Sequence, residues 1–374
     1  MNLTYSTKLS AIPRDIVCLD DYQRHAKLHL AEAIYEYIAS GAGDDITMRR
    51  NQLRFQDIAL YSRVLKDFDG ASTGIHLLGR DYPTPIILAP IAYQRLVHPD
   101  GEKATALAAD AMSTPMVTST LASIPMNEIT ERNNAGNWFQ LYMQSNPQNT
   151  ATLIRRAEHA GYDAIVVTVD AAVSGLRNRP QRAGFSLPGE ISAVNCQGFE
   201  TETLTLSGGD SPVLHGIMAQ APQWRDIEWL RQQTQLPLIV KGISHPDDAL
   251  QARAIGADAV VVSNHGGRTL DTLPASIDTL AAIRAAVGAE FPLLLDSGVR
   301  RGTDIVKALA LGANAVMIGR PQIFALAVAG ALGVAHMLRL LREELEIAMA
   351  LSGCANIAAI NANCLHTTER PATC

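Results

Sequence analysis

Eight short apolar runs recur between residues 86 and 318, and nearly all of them stop at a polar or ionisable residue. They occupy 86–89, 115–118, 138–141, 164–167, 238–240, 259–262, 293–295 and 315–318. Each is too short for a helix and rich in Val, Ile or Leu, as expected of strands buried on both faces of a parallel sheet. Ala-rich stretches of helical character separate most of them, among them 149–160, 246–255, 277–286 and 304–311. Gly161, Gly256, Gly288 and Gly312 follow these stretches, where glycine is the usual helix stop. Alternating strands and helices give either a doubly wound open sheet or a (β/α)8 barrel.

The residues that close the runs decide between the two. Pro90 and Ala92 follow the first and Ser119 the second. Gln140 and Tyr142 close the third, and Thr168 and Asp170 the fourth. Lys241 ends the fifth, Ser263, Asn264 and His265 the sixth, Asp296 the seventh, and Gly319 and Arg320 the eighth. In a barrel these ends meet at one mouth, where active sites sit. In an open sheet they would be strung along an edge. The sequence therefore predicts an α/β fold, a TIM barrel forming one domain. Residues 1–84 are expected to cap it, 85–345 to form the barrel and 346–374 a C-terminal segment. Residues 20–40 read as one helix facing the core through Leu28, Ala31, Ile34, Tyr35 and Ile38. Residues 180–222, after the fourth strand, read as a polar, irregular lid loop without an apolar membrane anchor.

Composition narrows the partners. A net charge of −6 gives no general attraction for nucleic acid or anionic membrane. The five cysteines are scattered, without CxxC spacing, so neither a disulfide framework nor a metal site is expected. The first residues lack a basic-then-apolar leader pattern, and a cytoplasmic protein is expected. The apolar stretch 323–338 is shorter than the ~20 residues a bilayer span needs and reads as a packed helix.

The chemistry concentrates in Ser263-Asn264-His265-Gly266-Gly267-Arg268. A histidine titrates near neutral pH. Asp170 could orient its ring. Arg268, and Arg177 after the fourth strand, could grip a carboxylate through paired hydrogen bonds. A base beside a carboxylate clamp suggests chemistry on a small organic acid. Gly298, Arg300, Gly319 and Arg320 follow strands seven and eight, where barrels bind phosphate. Lys241 could be a Schiff-base nucleophile or a fixed cation beside an anionic ring. A purely structural lysine there would require a carboxylate partner. The motifs GxGxxG and GxxxxGK[ST] are absent. From the residues alone a Schiff-base aldolase and a non-catalytic ligand-binding or scaffold barrel remain open.

Taken together these residues resemble the FMN-dependent L-2-hydroxy acid oxidases and dehydrogenases. The resemblance spans the chain from Ile34 to Cys354 and is most specific at 139–142, 168–170, 240–242, 263–268 and 296–302. It implies FMN as cofactor and oxidation of an L-2-hydroxy acid to the 2-oxo acid. His265 would be the base, oriented by Asp170. Arg177 and Arg268 would bind the substrate carboxylate, with Tyr37 and Tyr142 at its carboxylate or hydroxyl. Lys241 would sit by the flavin N1–O2 edge. Ser119, Gln140 and Thr168 would contact the ring, Pro90 and Ala92 would lie near it with Ala92 close to N5, and Ser263 would lie near the cofactor. Asp296 would bind the ribityl chain, and Gly298, Arg300, Gly319 and Arg320 the phosphate. The resemblance also implies a homo-oligomer, a tetramer, and O2 as electron acceptor. The sequence departs from the family's pattern at Thr269, where Gln is usual, and at Ser297, where Gly is common. Leu121 stands where plant glycolate oxidases carry Trp, which implies a substrate larger than glycolate, lactate-like or aromatic.

Overall fold

The computed structural model describes residue 5 and residues 11–199 and 206–366. Its centre is a closed barrel of eight parallel strands: β1 Ile86–Leu88, β2 Met116–Ser119, β3 Asn137–Leu141, β4 Ala164–Thr168, β5 Leu238–Ile243, β6 Ala259–Val262, β7 Leu293–Leu295 and β8 Ala315–Ile318. Each strand pairs with its sequence neighbours, and β8 closes on β1 through Val316 opposite Ile86 and Ile318 opposite Leu88. The TIM barrel expected from the runs is the observed fold.

Strand alternation sorts the side chains into two cores. Phe139, Leu141, Ile165, Val167, Leu238, Val240, Val260, Val262, Leu293 and Leu295 point outward against the helices. Trp138, Ala164, Val166, Ile239, Ala259, Val261, Leu294, Ala315 and Met317 fill the barrel. Burying each large aliphatic side chain contributes roughly 1.5–3 kcal/mol. An antiparallel hairpin, Ile75–Leu77 with Arg80–Tyr82, adds Leu77 and Tyr82 to the inner cluster and plugs the barrel's lower end. The sequence reading did not contain this hairpin.

The cap is three helices: α1 Leu19–His29, α2 Glu32–Ala39 and α3 Ile46–Asp57. The single helix expected over 20–40 is therefore corrected. Leu30 and Ala31 are extended, at ψ 145° and 141°, and separate α1 from α2. Leu28 and Ala31, assigned to the core face, are exposed, whereas Ile34, Tyr35 and Ile38 are buried. The break lets α1 pack along the last helix while α2 turns over the mouth.

The last helix, Arg320–Ser352, runs past the boundary expected at 345. It is kinked where Gly330 takes φ 58°, with the His98 ring filling the space a Cβ would need. It is the one described helix long and apolar enough to cross a membrane, but it packs against α1 and the two helices that follow β1 and β7. The loop after β4 is less uniformly polar than expected. It carries short helical turns, and Pro212–Ile217 with Met218 leaves Val213, Leu214, Ile217 and Met218 largely exposed.

Candidate active site

The period of two that fills the barrel also aims its polar ends. Inward positions at the top of successive strands are Ser119, Gln140, Thr168, Lys241, Ser263 and Asp296, all buried. The strand register thus places six polar residues, distant in sequence, around one opening. The cavity above them measures ≈ 760 Å³. Every residue given a catalytic, substrate or cofactor role from the sequence lines it except Asp170 and Ser263, which lie behind its wall.

Asp170 reaches the cavity through His265, whose Nδ1 lies 2.8 Å from Asp170 Oδ1. Burial alone would push the Asp170 carboxyl up, but His265 and Lys241 outweigh it and hold the carboxyl below its ordinary value. An anionic Asp170 accepts, so Nδ1 carries the hydrogen and Nε2 keeps its lone pair for a substrate proton. Gly242 makes room for this pair: it sits at φ 110°, and a Cβ there would lie 2.5 Å from Asp170 Cγ.

His265 itself takes φ 56°. A left-handed non-glycine residue costs of order 1–3 kcal/mol and persists only when its neighbours fix it. Ser263 Oγ accepts from the His265 amide at 3.0 Å, and Ser297 Oγ accepts from the Gly266 amide at 3.0 Å. Ser297 also donates to Asp296 Oδ1 at 2.7 Å. The serine that departs from the family's glycine thus ties the β7 end to the histidine loop.

Three guanidinium groups crowd the mouth. Arg177 donates to the carbonyls of Tyr37, Ser40 and Gly41, and Arg268 to those of Tyr37, Ile38 and Ser40. Arg320 donates to Ile38, Ser40 and Gly266. These acceptors are mostly the free carbonyls at the C-terminal end of α2, where the helix dipole is negative. None of the three arginines has a carboxylate within ion-pair distance among the described residues. Burial, then Arg268, pushes Arg177 down to about 9. Burial, then Arg268, Arg300 and Arg177, pushes Arg320 well below its usual range. Arginine does not lose its proton at neutral pH, so these shifts mark a site short of negative charge, suited to anions.

The aromatic wall is Tyr37 stacked on Phe185, centroids 4.2 Å apart and planes at 10°. Arg268 lies over the Tyr37 ring at 5.4 Å. Tyr142 is partly buried, and desolvation pushes its hydroxyl up to about 12 and keeps it neutral. Leu121 and Tyr93 line the same side, joined by a hydrogen bond from the Tyr93 amide to the Leu121 carbonyl at 3.0 Å. Phe185 escaped the sequence reading because it lies in a loop with no periodic pattern.

The residues present fit a flat, hydrogen-bonding ring carrying a phosphate. Gln140 Nε2 and Thr168 Oγ1 are buried at the strand tops with no partner among the described residues. Lys241 Nζ sits beside them, held by Ser263 Oγ at 3.1 Å and Asp296 Oδ2 at 2.9 Å. The last helix begins at Arg320, directly after Gly319, so the positive end of its dipole lies where both residues line the cavity and favours an anion there. Arg300, half-buried, lines the same cavity. These are the donor sets that an isoalloxazine edge and a phosphate require.

Residues 26–367 match the family of FMN-dependent dehydrogenases. The chain is 45% identical over 361 residues to an L-lactate oxidase of Alicycliphilus denitrificans, covering 96% of this chain and 98% of that one. It is 42% identical to 2-hydroxyacid oxidase 1 of Homo sapiens, over 94% of this chain and 96% of that one. Among solved structures it is similar to mandelate oxidase with (S)-2-phenylpropionate, with a TM-score of 0.85 and 39% identity over 94% of this chain and 98% of that one.

Proposed function

The chain belongs to the FMN-dependent dehydrogenase family, as an FMN enzyme that oxidises 2-hydroxy acids, and from that premise we propose an L-2-hydroxy acid oxidase for lactate-sized or larger substrates, with O2 as acceptor. The observation that carries this reading is the His265–Asp170 pair, 2.8 Å apart, opening onto the same cavity as Arg177 and Arg268.

Arg177 and Arg268 bind the substrate carboxylate, replacing carbonyl contacts with a charge-assisted pair. Tyr142 and Tyr37 donate to the carboxylate or the hydroxyl and fix the Cα. His265 Nε2 takes the substrate's proton, and Asp170 stabilises the imidazolium that results. When bound, FMN would supply the two-electron acceptor that this oxidation requires. Gln140, Thr168 and Ser119 orient the ring, Pro90 and Ala92 pack near it, and Lys241 holds a fixed positive charge at its edge. Asp296 takes the ribityl chain, and Gly298, Arg300, Gly319 and Arg320 take the phosphate. Phe185, Tyr37, Tyr93 and Leu121 exclude water from the reacting end.

The reading is tested by an anaerobic spectrum of the purified yellow protein. L-Lactate or L-mandelate should bleach the flavin, and air should restore the colour within a turnover time. Colour that no 2-hydroxy acid bleaches would defeat the activity. Bleached enzyme that recovers over many minutes in air, but quickly with a quinone analogue, would make it a dehydrogenase.

A further inference from the structure

We propose that Asn51, on α3 of the cap, is a positioning residue for the base: through a two-way amide pair with Asn264 it holds the loop that carries His265. The inference rests on the reading of His265 as the base.

His265, Gly266 and Gly267 take φ 56°, 65° and 72°, a run of consecutive left-handed residues. Such a run does not support itself with a side chain at its first position. Asn264 immediately precedes it, and its amide is saturated. Asn264 Oδ1 accepts from Asn51 Nδ2 at 2.8 Å and from the Gly267 amide at 3.1 Å. Asn264 Nδ2 donates to Asn51 Oδ1 at 2.7 Å and to the Pro274 carbonyl at 3.0 Å. Asn51 Oδ1 also accepts from the Ser276 amide at 3.3 Å. Both asparagines are 2% exposed, so a lost partner is not readily replaced by bulk water. With Asn51 gone, Asn264 lacks one donor and one acceptor. Turning its amide to recover them leaves the Gly267 N–H only its 2.9 Å bond to the Asn264 backbone carbonyl and loosens the turn.

The backbone of α3 closes on the same loop. A Cβ at Gly267 would lie 2.6 Å from the Met48 amide nitrogen, and one at Gly298 would strike the Asn51 carbonyl. Asn51 therefore touches both the β6 loop with the base and the β7 loop. It does not itself line the cavity. Its side chain acts on the base through Asn264, and the effect falls on the rate rather than on substrate affinity, because Arg268 is held separately by its bonds to the carbonyls of Tyr37, Ile38 and Ser40.

The test compares FMN-loaded N51A, N51S, N264A, N51A/N264A, T47V and H265Q. Thr47 lies on the same helix, and its hydroxyl accepts from the Leu273 amide at 2.9 Å without touching Asn264. T47V therefore loosens α3 without touching the amide pair. N51A should lose about tenfold or more in kcat, the order of effect expected of a misplaced reacting group, with KM and oxalate affinity unchanged. N51A/N264A should be no slower than N264A, because the two act as a unit. T47V should lower Tm while leaving kcat near that of wild type. Additive losses in the double variant, or equal kcat in N51A and T47V at matched Tm loss, would overturn the inference. If N51A does not accumulate folded, N51S against T47V decides by the same split. A large loss in H265Q beside an unaffected N51A sinks this inference alone. A loss of only a few-fold in H265Q removes the base reading, and the inference with it.

Discussion

Lys241 Nζ lies 2.9 Å from Asp296 Oδ2, an ion pair buried between the ends of β5 and β7. The carboxylate partner that a structural lysine requires is therefore present. Burial alone would lower the lysine's pKa, but Asp296 and then Asp170 outweigh it and hold the ammonium above its usual range. A Schiff-base nucleophile needs the neutral amine. Lys241 stays charged at neutral pH, so the aldolase reading loses its nucleophile. What remains is a fixed cation at the floor of the cavity.

Lys241→Met should weaken FMN retention, measured as flavin content after gel filtration. It should also lower Tm, because Asp296 loses its ion-pair partner. Removing one partner of a buried ion pair typically costs about 3–5 kcal/mol. Arg320→Ala should weaken retention as well, by thinning the positive charge at the helix start. Retention equal to wild type in both variants would remove these residues from the cofactor site.

His265→Gln should keep oxalate binding and nearly abolish flavin reduction. Loss of a general base lowers rates about 10²–10⁴-fold. Stopped-flow reduction under anaerobic conditions measures it.

Arg268→Lys should bind oxalate distinctly more weakly than wild type even though the charge is kept. The guanidinium bonds the α2 carbonyls through Nη1 and presents a planar fork, which an ammonium cannot reproduce. Equal inhibition constants would show that Arg268 does not hold the carboxylate.

Leu121→Trp should shift kcat/KM toward glycolate and away from L-lactate and larger substrates. Each methylene buried by a longer substrate contributes about 0.8 kcal/mol, a few-fold in specificity. Steady-state kinetics on glycolate, L-lactate and L-mandelate read this directly. Wild type that prefers glycolate would defeat the assignment. A uniform loss on all three would transfer the pocket to Tyr93 and Phe185, which line the same cavity.

Much of this site is written in local sequence. An apolar run of strand length, followed by a polar residue on its inward face, is enough to send Gln140, Thr168, Lys241, Ser263 and Asp296 to one mouth. Strand alternation has a period of two, and closure of the barrel does the rest. The motif around His265 shows its chemistry in consecutive residues. The resemblance adds the flavin, which no spacing in the chain announces.

Other features exist only through packing. Nothing in the composition of 28–32 breaks the cap helix: Leu30 and Ala31 are extended because α1 and α2 serve different surfaces. The carbonyls of Tyr37, Ile38 and Ser40 are anonymous in sequence, yet they anchor Arg177, Arg268 and Arg320 once α2 ends over the mouth. Asn51 and Asn264 are 213 positions apart, and each alone is an ordinary asparagine. The sequence by itself determined the strands, their inward polar ends and the histidine loop, because these follow from neighbours along the chain. The tertiary structure alone decided which distant backbone and amide groups hold those residues still, because such contacts depend on how the cap docks on the barrel.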